Sequence, residues 1–529
     1  MNLVPLLAPT VASRISSWNE ADAVRRLWAG DPTVWSDDPS TPELADRLGW
    51  LRLHDTMRPA VPEIVEAAGI VRGGSDHVVL CGMGGSSLAP EVFSRSFGPT
   101  EGWPELVVVD STHPDAVRAV REAIDPSRTT FIVSSKSGST LETLSFFRYF
   151  YAEAGEDGSR FVAVTDPASS LAKLGRDRDF RFVFETVPDV GGRFSALTHF
   201  GLVPAAFMGI DVSLLLDAAA ALADQASDNV RDDPAVGLGI ALAELARQGR
   251  DKLTLLTSPS LASLPSWMEQ LIAESLGKDG TGIIPIADEP LRGPSAYADD
   301  RVFLAFVLAG ESGPNLDALI RVGQPVLGFE LPDRSSLGYE MLRAEVATAT
   351  AGAVLGLHPF DQPNVEAAKR LATAAMDGKL DLEGVPTVAG SGVKDEVAAF
   401  LDGLVPGDYL GIHAYLAPSD DRWDRCQELR KVIGARTGLA TTFGWGPRFL
   451  HSTGQLHKGG PETGAFIQLV DRPTGPLAVP ESGHEFGAII AAQAAGDHQA
   501  LVEAGKRVIR VDLGAAPDEI IDSLTAALG

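Results

Sequence analysis

Four short apolar segments, "HVVLCGM", "LVVVDS", "TTFIVSS" and "RFVAVTD", succeed one another between residues 77 and 166, each followed by a helix-like stretch. Short, continuously apolar strands joined by helical connections build a parallel sheet covered on both faces. The alternation resumes with "KLTLLTS", "TGIIPIA", "RVFLAFVLAG" and "VLGFELP", and strands return beyond 385 as "DYLGIHAYLA", "AFIQLVD" and "KRVIRVDLG". The pattern predicts an α/β protein in four parts. A helical segment (1–60) carries Trp18, Trp28, Trp35 and Trp50 as packing anchors. Two parallel-sheet domains (61–230 and 231–382) have the look of distant duplicates, and an α/β extension (383–529) follows.

Composition limits the partners. The chain has 44 basic and 71 acidic residues, net −27, which argues against nucleic acid and anionic membranes. Any phosphate site must therefore be built locally from backbone N–H groups, hydroxyls and a few cations. Only Cys81 and Cys426 are present, so neither a disulfide framework nor a Cys-rich zinc site is expected. The ten histidines show no metal-ligand spacing, and neither a metal nor another cofactor is predicted. "MNLVPLLAPTVASRISSW" lacks a basic stretch ahead of its apolar one, and "FGLVPAAFMGI" is too short and too broken to span a bilayer. A cytoplasmic location is expected.

Two loops carry the phosphate chemistry. In "VVLCGMGGSSLAPEVF" a strand meets a glycine turn, then Ser86 and Ser87 at a helix start. Gly82, Gly84 and Gly85 let the backbone turn tightly, and a helix N-terminus offers unpaired N–H groups to an anion. A simple N-cap explains this loop equally well. In "FIVSSKSGSTLETLSFF" Ser139 and Glu142 have capping-box spacing. That does not account for Lys136 or for Ser135, Ser137 and Thr140 crowded around the same turn. Hydroxyls, amides and one cation suit a dianionic phosphate monoester, and ligands of such sheets bind beyond the carboxyl ends of the strands.

A third candidate is Glu274 in "LPSWMEQLIAESLGKDG". Trp267, Leu271 and Glu274 share one helical stripe, and Gly277 supplies the C-cap. A carboxylate there faces the negative end of the helix dipole, an unfavourable place for a merely structural charge. Taken alone, it is more readily a surface charge beside an apolar stripe.

Taken in order, "GMGGSSLAP", "SSKSGSTLET", "VGGRFSALTHFGL", "EQLIAESLGKDGTGIIP" and "HPFDQPNVEAAK" resemble the successive motifs of the phosphoglucose isomerase family over roughly residues 60–380. The helical start and "GWGPRFLHSTGQLHKGGPETGAFIQL" are similar to the isomerase half of fused transaldolase–isomerase proteins. No transaldolase barrel fits before residue 60, which implies that module standing alone. The resemblance implies two sugar-isomerase (SIS-type, flavodoxin-like) domains that interconvert glucose 6-phosphate and fructose 6-phosphate, with a homodimer as a common arrangement. Gly85, Ser86, Ser135, Lys136, Ser137 and Thr140 would hold the phosphate. Glu274 would be the base, Arg193 would stabilise the enediolate and Lys369 would help open the ring. The chemistry needs these types: one base to move a proton between C2 and C1, and a fixed cation beside the developing oxyanion.

One element of the family pattern is missing. Where a histidine for ring opening is expected after the base, this chain reads "EPLRGPSAYADDRVF". The Gly-rich stretch "FLHSTGQLHKGGP" offers His451 and His457, with Gln455 and Lys458 beside them, as replacements whose protonation lies near neutrality. A surface turn explains that stretch as well. Two other functions stay open: an isomerase that also takes mannose 6-phosphate, and a non-catalytic sugar-phosphate sensor. A sensor needs the loops but not Glu274, Arg193 and Lys369 together.

Overall fold

The computed structural model describes residues 9–364, 370 and 384–529. The first sheet is built from β1 (His77–Gly82), β2 (Glu105–Val109), β3 (Thr129–Ser134), β4 (Phe161–Thr165) and β5 (Phe182–Glu185), all parallel, in the order β2-β1-β3-β4-β5. The second contains β6 (Lys252–Thr257), β7 (Ile284–Ile286), β8 (Arg301–Leu308) and β9 (Val326–Leu331), parallel, in the order β7-β6-β8-β9. The extension is a third such layer. Its strands are β10 (Val388–Ala389), β11 (Tyr409–Tyr415), β12 (Ala440–Trp445), β13 (Gly464–Val470) and β16 (Arg507–Asp512), in the order β10-β16-β13-β11-β12. A short antiparallel pair, β14 (Ala478–Val479) and β15 (His484–Glu485), interrupts it.

Counted within each unit from β1, β6 and β11, all three sheets share the arrangement 2-1-3-4, a doubly wound order in which the chain reverses direction between its first and third strands. The duplicates expected in the centre are thus three related layers. β12 escaped sequence analysis because "ATTFGW" is short and buried only along its first half.

One apolar core joins the N-terminal helices to the inner faces of the first two sheets, drawing on Trp50, Leu80, Ile132, Leu253, Leu304 and Val346. Trp50 is fully buried and stacks on Phe194 at 5.0 Å, directly beside Arg193. Truncating a ring of this kind costs ~3–5 kcal/mol. Trp28 and Trp35 lie at the margin, where their indole N–H groups reach Asp233 Oδ2 and the Ala349 carbonyl, each at 2.8 Å. "FGLVPAAF" falls in the helix His199–Phe207, entirely buried. Among the described residues no helix is long and apolar enough to cross a membrane. The third layer has its own core around Leu410, Ile412, Ile467 and Val511.

Candidate active site

Register brings the two serine loops together. β1 and β3 pair from His77↔Thr129 to Gly82↔Ser134, so they end level and release their loops side by side. In the first loop the chain passes so close to the Gly191–Arg193 turn that a Cβ on Gly85 would lie 2.1 Å from the Gly192 carbonyl oxygen. Only glycine fits there. Ser87 is buried and caps the helix Leu88–Phe97 without a side-chain bond, while the more open Ser86 has a hydroxyl that forms no hydrogen bond among the described residues.

The second loop is organised by its own hydroxyls. Ser135 Oγ lies 2.9 Å from Thr140 Oγ1 and accepts from the Gly138 N–H at 3.2 Å; Ser137 and Ser139 hydroxyls lie 3.0 Å apart. The Lys136 ammonium donates to Asp166 Oδ2 at 2.7 Å and to the Pro188 carbonyl at 3.1 Å. Burial raises the Asp166 pKa against the pull of that ammonium. The expected capping box does not form: Thr140 is the N-cap of the helix Leu141–Glu153, its hydroxyl turned to Ser135 and making no capping bond, and Ser139 bonds within the loop. Glu142 reaches across the molecule instead. Its Oε1 lies 2.9 Å from His451 Nε2 and accepts from Gln493 Nε2 at 2.6 Å, while Gln493 Oε1 accepts from the Thr112 hydroxyl at 2.7 Å.

Glu274 sits in the last turn of the helix Leu264–Leu276, on the stripe with Trp267 and Leu271, and is 9 % exposed. Gly277 ends that helix with φ −86°, so a left-handed cap is not what demands glycine. A Cβ there would come within 2.5 Å of Leu456 Cα, where the third layer packs against the helix. Arg193 is buried beside the carboxylate, Nη1 to Glu274 Oε1 at 3.5 Å. Its other nitrogens are fixed: Nε donates to Ser275 Oγ at 2.8 Å, and Nη2 to the carbonyls of Pro359 at 2.6 Å and Asp361 at 3.0 Å. Burial lowers the Arg193 pKa, with Glu274 and Asp361 opposing. Gln270, one turn before Glu274, ties the base to the third layer: its amide donates to Glu274 Oε2 at 3.1 Å and to the His451 carbonyl at 2.8 Å.

Sequence reasoning passed over several of these groups. Gln270 carried a signal, its i−4 spacing from Glu274. Lys278, in "GKDG", is buried, donates to the carbonyls of His358 and Asp361 at 2.7 Å each and to Asp361 Oδ1 at 2.6 Å, and is pushed down to about 8 by burial. With Arg193 it pins the segment that leads toward Lys369, which itself lies outside the described residues. Glu142 was absorbed into the capping-box pattern, and nothing local to Gln493 announces its role.

The two histidine candidates separate. His451 joins the site, at the end of the 3-10 turn Arg448–His451. His457 does not: it is 3 % exposed, its ring stacked 4.5 Å from that of His413 and near Phe466, and burial drives its pKa well below the ordinary value. Lys458 is likewise buried, paired with Asp497 at 2.6 Å. Gln455 contributes structurally, donating to the Gly277 carbonyl at 3.0 Å and to Asn364 Oδ1 at 2.7 Å. Among the described residues no group of three or more His, Cys, Asp or Glu is arranged to hold a metal.

A cavity of about 1100 Å³ lies where the three layers meet, walled by Glu269, Asp288, Trp423, Trp445 and Arg448, and none of the candidate catalytic residues lines it.

The family model for phosphoglucose isomerase matches residues 52–283. The glucose-6-phosphate isomerase of Rubrobacter xylanophilus is 33% identical over 389 residues, covering 63% of this chain and 90% of that protein. That of Thermus thermophilus is 29% identical, covering 68% and 94%. Among solved structures, a hypothetical protein of Thermus thermophilus superposes with a TM-score of 0.58 at 26% identity over 69% of this chain and 97% of its own. A glucose-6-phosphate isomerase of Chlamydia trachomatis matches in fold, with a TM-score of 0.50 at 19% identity over 72% and 81%. With nine-tenths of a one-third-identical relative spanned, and the motifs converging on one site, the chain belongs to the phosphoglucose isomerase family.

Proposed function

We propose that this protein interconverts glucose 6-phosphate and fructose 6-phosphate by proton transfer through a cis-enediol. The observation that carries the proposal is the juxtaposition of Glu274 with a fixed arginine, Nη1 to Oε1 at 3.5 Å. The serine loops lie beside them, the Gly85 turn packed against Arg193's own turn. Its relatives bear the name glucose-6-phosphate isomerase, and this chain spans most of their length.

The phosphate sits on Ser86, Ser135, Ser137 and Thr140 and the adjoining N–H groups, with Lys136 as the nearby cation. Glu274 removes the C2 proton of the open-chain aldose and returns it to C1. Charge building on the enediolate oxygens meets Arg193, which needs no reorganisation because its other nitrogens are already bonded. His451 opens the ring. As a carboxylate, Glu142 Oε1 accepts from both Gln493 and His451 Nε2, which leaves His451 Nδ1 to take the anomeric hydroxyl proton and return it to the ring oxygen as the C1–O5 bond breaks. That pair lies within one chain. The buried free thiols of Cys81 and Cys426 accord with a reducing, cytosolic setting.

The test is a coupled assay that follows glucose 6-phosphate formed from fructose 6-phosphate. Turnover by the wild type that is lost in Glu274→Gln supports the function; an inactive wild type overturns it. Mannose 6-phosphate in the same format decides the breadth of the substrate range.

A further inference from the structure

In the first sheet the phosphate loops follow β1 and β3, the strands between which the chain order reverses. The corresponding strands of the third sheet are β11 and β13, and a second cavity of about 660 Å³ lies at their carboxyl ends and that of β16. Its size is that of a small-molecule site. Tyr415, the last residue of β11, lines it while only 2 % exposed, and its hydroxyl has no hydrogen-bond partner among the described residues. Burial first, then the charge of Asp497 and a looser contact of the hydroxyl with that carboxylate, raise the Tyr415 pKa and keep the phenol protonated, while Arg510 opposes; Asp497 itself is paired with Lys458. Arg510, on β16, lines the cavity too, and its Nε and Nη1 are buried without partners among the described residues.

The two carboxylates in the wall are already engaged. Asp471 Oδ1 lies 2.9 Å from His113 Nε2. Asp512 accepts from the Gly514 N–H at 2.7 Å and from Arg472 Nη2 at 3.0 Å. Asp512 lies close enough to act on the Arg510 charge against the cost of burial, yet two buried N–H groups of the guanidinium are left without an acceptor among the described residues. The helix Phe486–Glu503 lies along the same wall with an apolar side, Gly487, Ile490, Ala491 and Ala494. A buried hydroxyl and two guanidinium N–H groups without acceptors, around one hollow, select an oxyanion.

We propose that this cavity is a second ligand site, separate from the catalytic loops, which binds a phosphate group through Arg510 and the Tyr415 hydroxyl. The group arrives either as inorganic phosphate or on a phosphorylated sugar, whose hydroxyls Asp471 and Asp512 are placed to accept. No residue assigned to the reaction takes part.

Equilibrium dialysis of the full chain with inorganic phosphate, and separately with fructose 6-phosphate, tests this by stoichiometry. The wild type should bind two phosphate groups per chain, and Arg510→Met one. Ser137→Ala/Thr140→Ala should also fall to one, by losing the catalytic site instead. Arg510→Met should keep the turnover of the wild type, which separates failure of this proposal from failure of the proposed function. Two groups bound with either ligand supports the site, and the ligand that fills it names the source. Because two buried N–H groups without acceptors destabilise the empty protein, Arg510→Met should also melt higher than the wild type without phosphate and gain less when phosphate is added. Should Arg510→Met misfold, Tyr415→Phe, which removes only a hydroxyl, should weaken binding at one of the two sites. A wild type that binds one group per chain, or Arg510→Met or Tyr415→Phe with both sites at full strength, overturns the proposal.

Discussion

His451 Nε2 and Glu142 Oε1 meet at 2.9 Å across 309 positions of sequence, one from the third layer and one from the helix that follows the second serine loop. The pair stands where the family pattern asks for a ring-opening histidine and the chain has none after its base. Removing the imidazole should therefore slow conversion of cyclic sugar phosphate and spare an open-chain analogue. Parallel assays of His451→Ala on both substrates check this; equal loss on both would move the histidine out of the ring-opening step.

Gln493 should act only through that pair. Gln493→Leu removes a donor to Glu142 Oε1 and leaves the Thr112 hydroxyl without its acceptor. The expected result is a lower kcat on cyclic substrate with KM almost unchanged, and near-normal turnover of the open-chain analogue. A general loss on both substrates, with a lowered melting temperature, would mark the residue as structural only.

Glu274→Gln keeps the shape of the side chain and cannot accept a proton. Turnover should fall to background while substrate still binds, and solvent deuterium should no longer enter the exchanging carbon. Retention of a sizeable fraction of the wild-type rate would remove Glu274 from the role of base.

Loss of loop hydroxyls should appear in binding. Ser137→Ala combined with Thr140→Ala should raise KM, each deleted contact to the charged phosphate being worth ~1.5–3 kcal/mol. Inorganic phosphate should inhibit the wild type competitively and the double variant more weakly. An unchanged KM would place the phosphate elsewhere.

Glu269 gives a pH signature of stability. It lies on the base's helix, faces the large junction cavity, and is raised to about 8, by burial first and by the Asp288 charge second. A carboxyl whose pKa is higher folded than unfolded binds more protons in the native state. Its contribution is thus complete below about 4.5 and is lost as pH climbs toward about 8. Glu269→Gln should match the wild type in melting temperature near the lower end and exceed it increasingly toward the upper end. Parallel melting curves would disprove the shift.

Much of this was legible along the chain because it is local. Strand, tight turn and hydroxyl-rich helix start occupy adjacent residues, so both serine loops could be singled out as candidates from spacing, and Glu274 from its stripe. His451 was found by a different route, the absence of a partner the chemistry requires. What resisted reading depends on layers docking. Glu142 fits a local capping box so well that its long-range partner left no trace, and Gln493 is an ordinary helix glutamine until Glu142 arrives from 351 positions away. His457 shows the reverse error: six residues from His451 and of the same type, it falls on the side of its short helix that faces His413 and Phe466.

The glycine at 277, where Leu456 leaves no room for a Cβ, has a consequence for how the protein is made. The helix of Glu274 and the turn of His451 close on each other only after the last layer has been synthesised, folded and seated. Contacts of such long sequence separation form late. During refolding, sheet content should return first and isomerase turnover should lag behind it, so a nascent chain lacking that layer would already hold sugar phosphate in its serine loops without being able to open the ring.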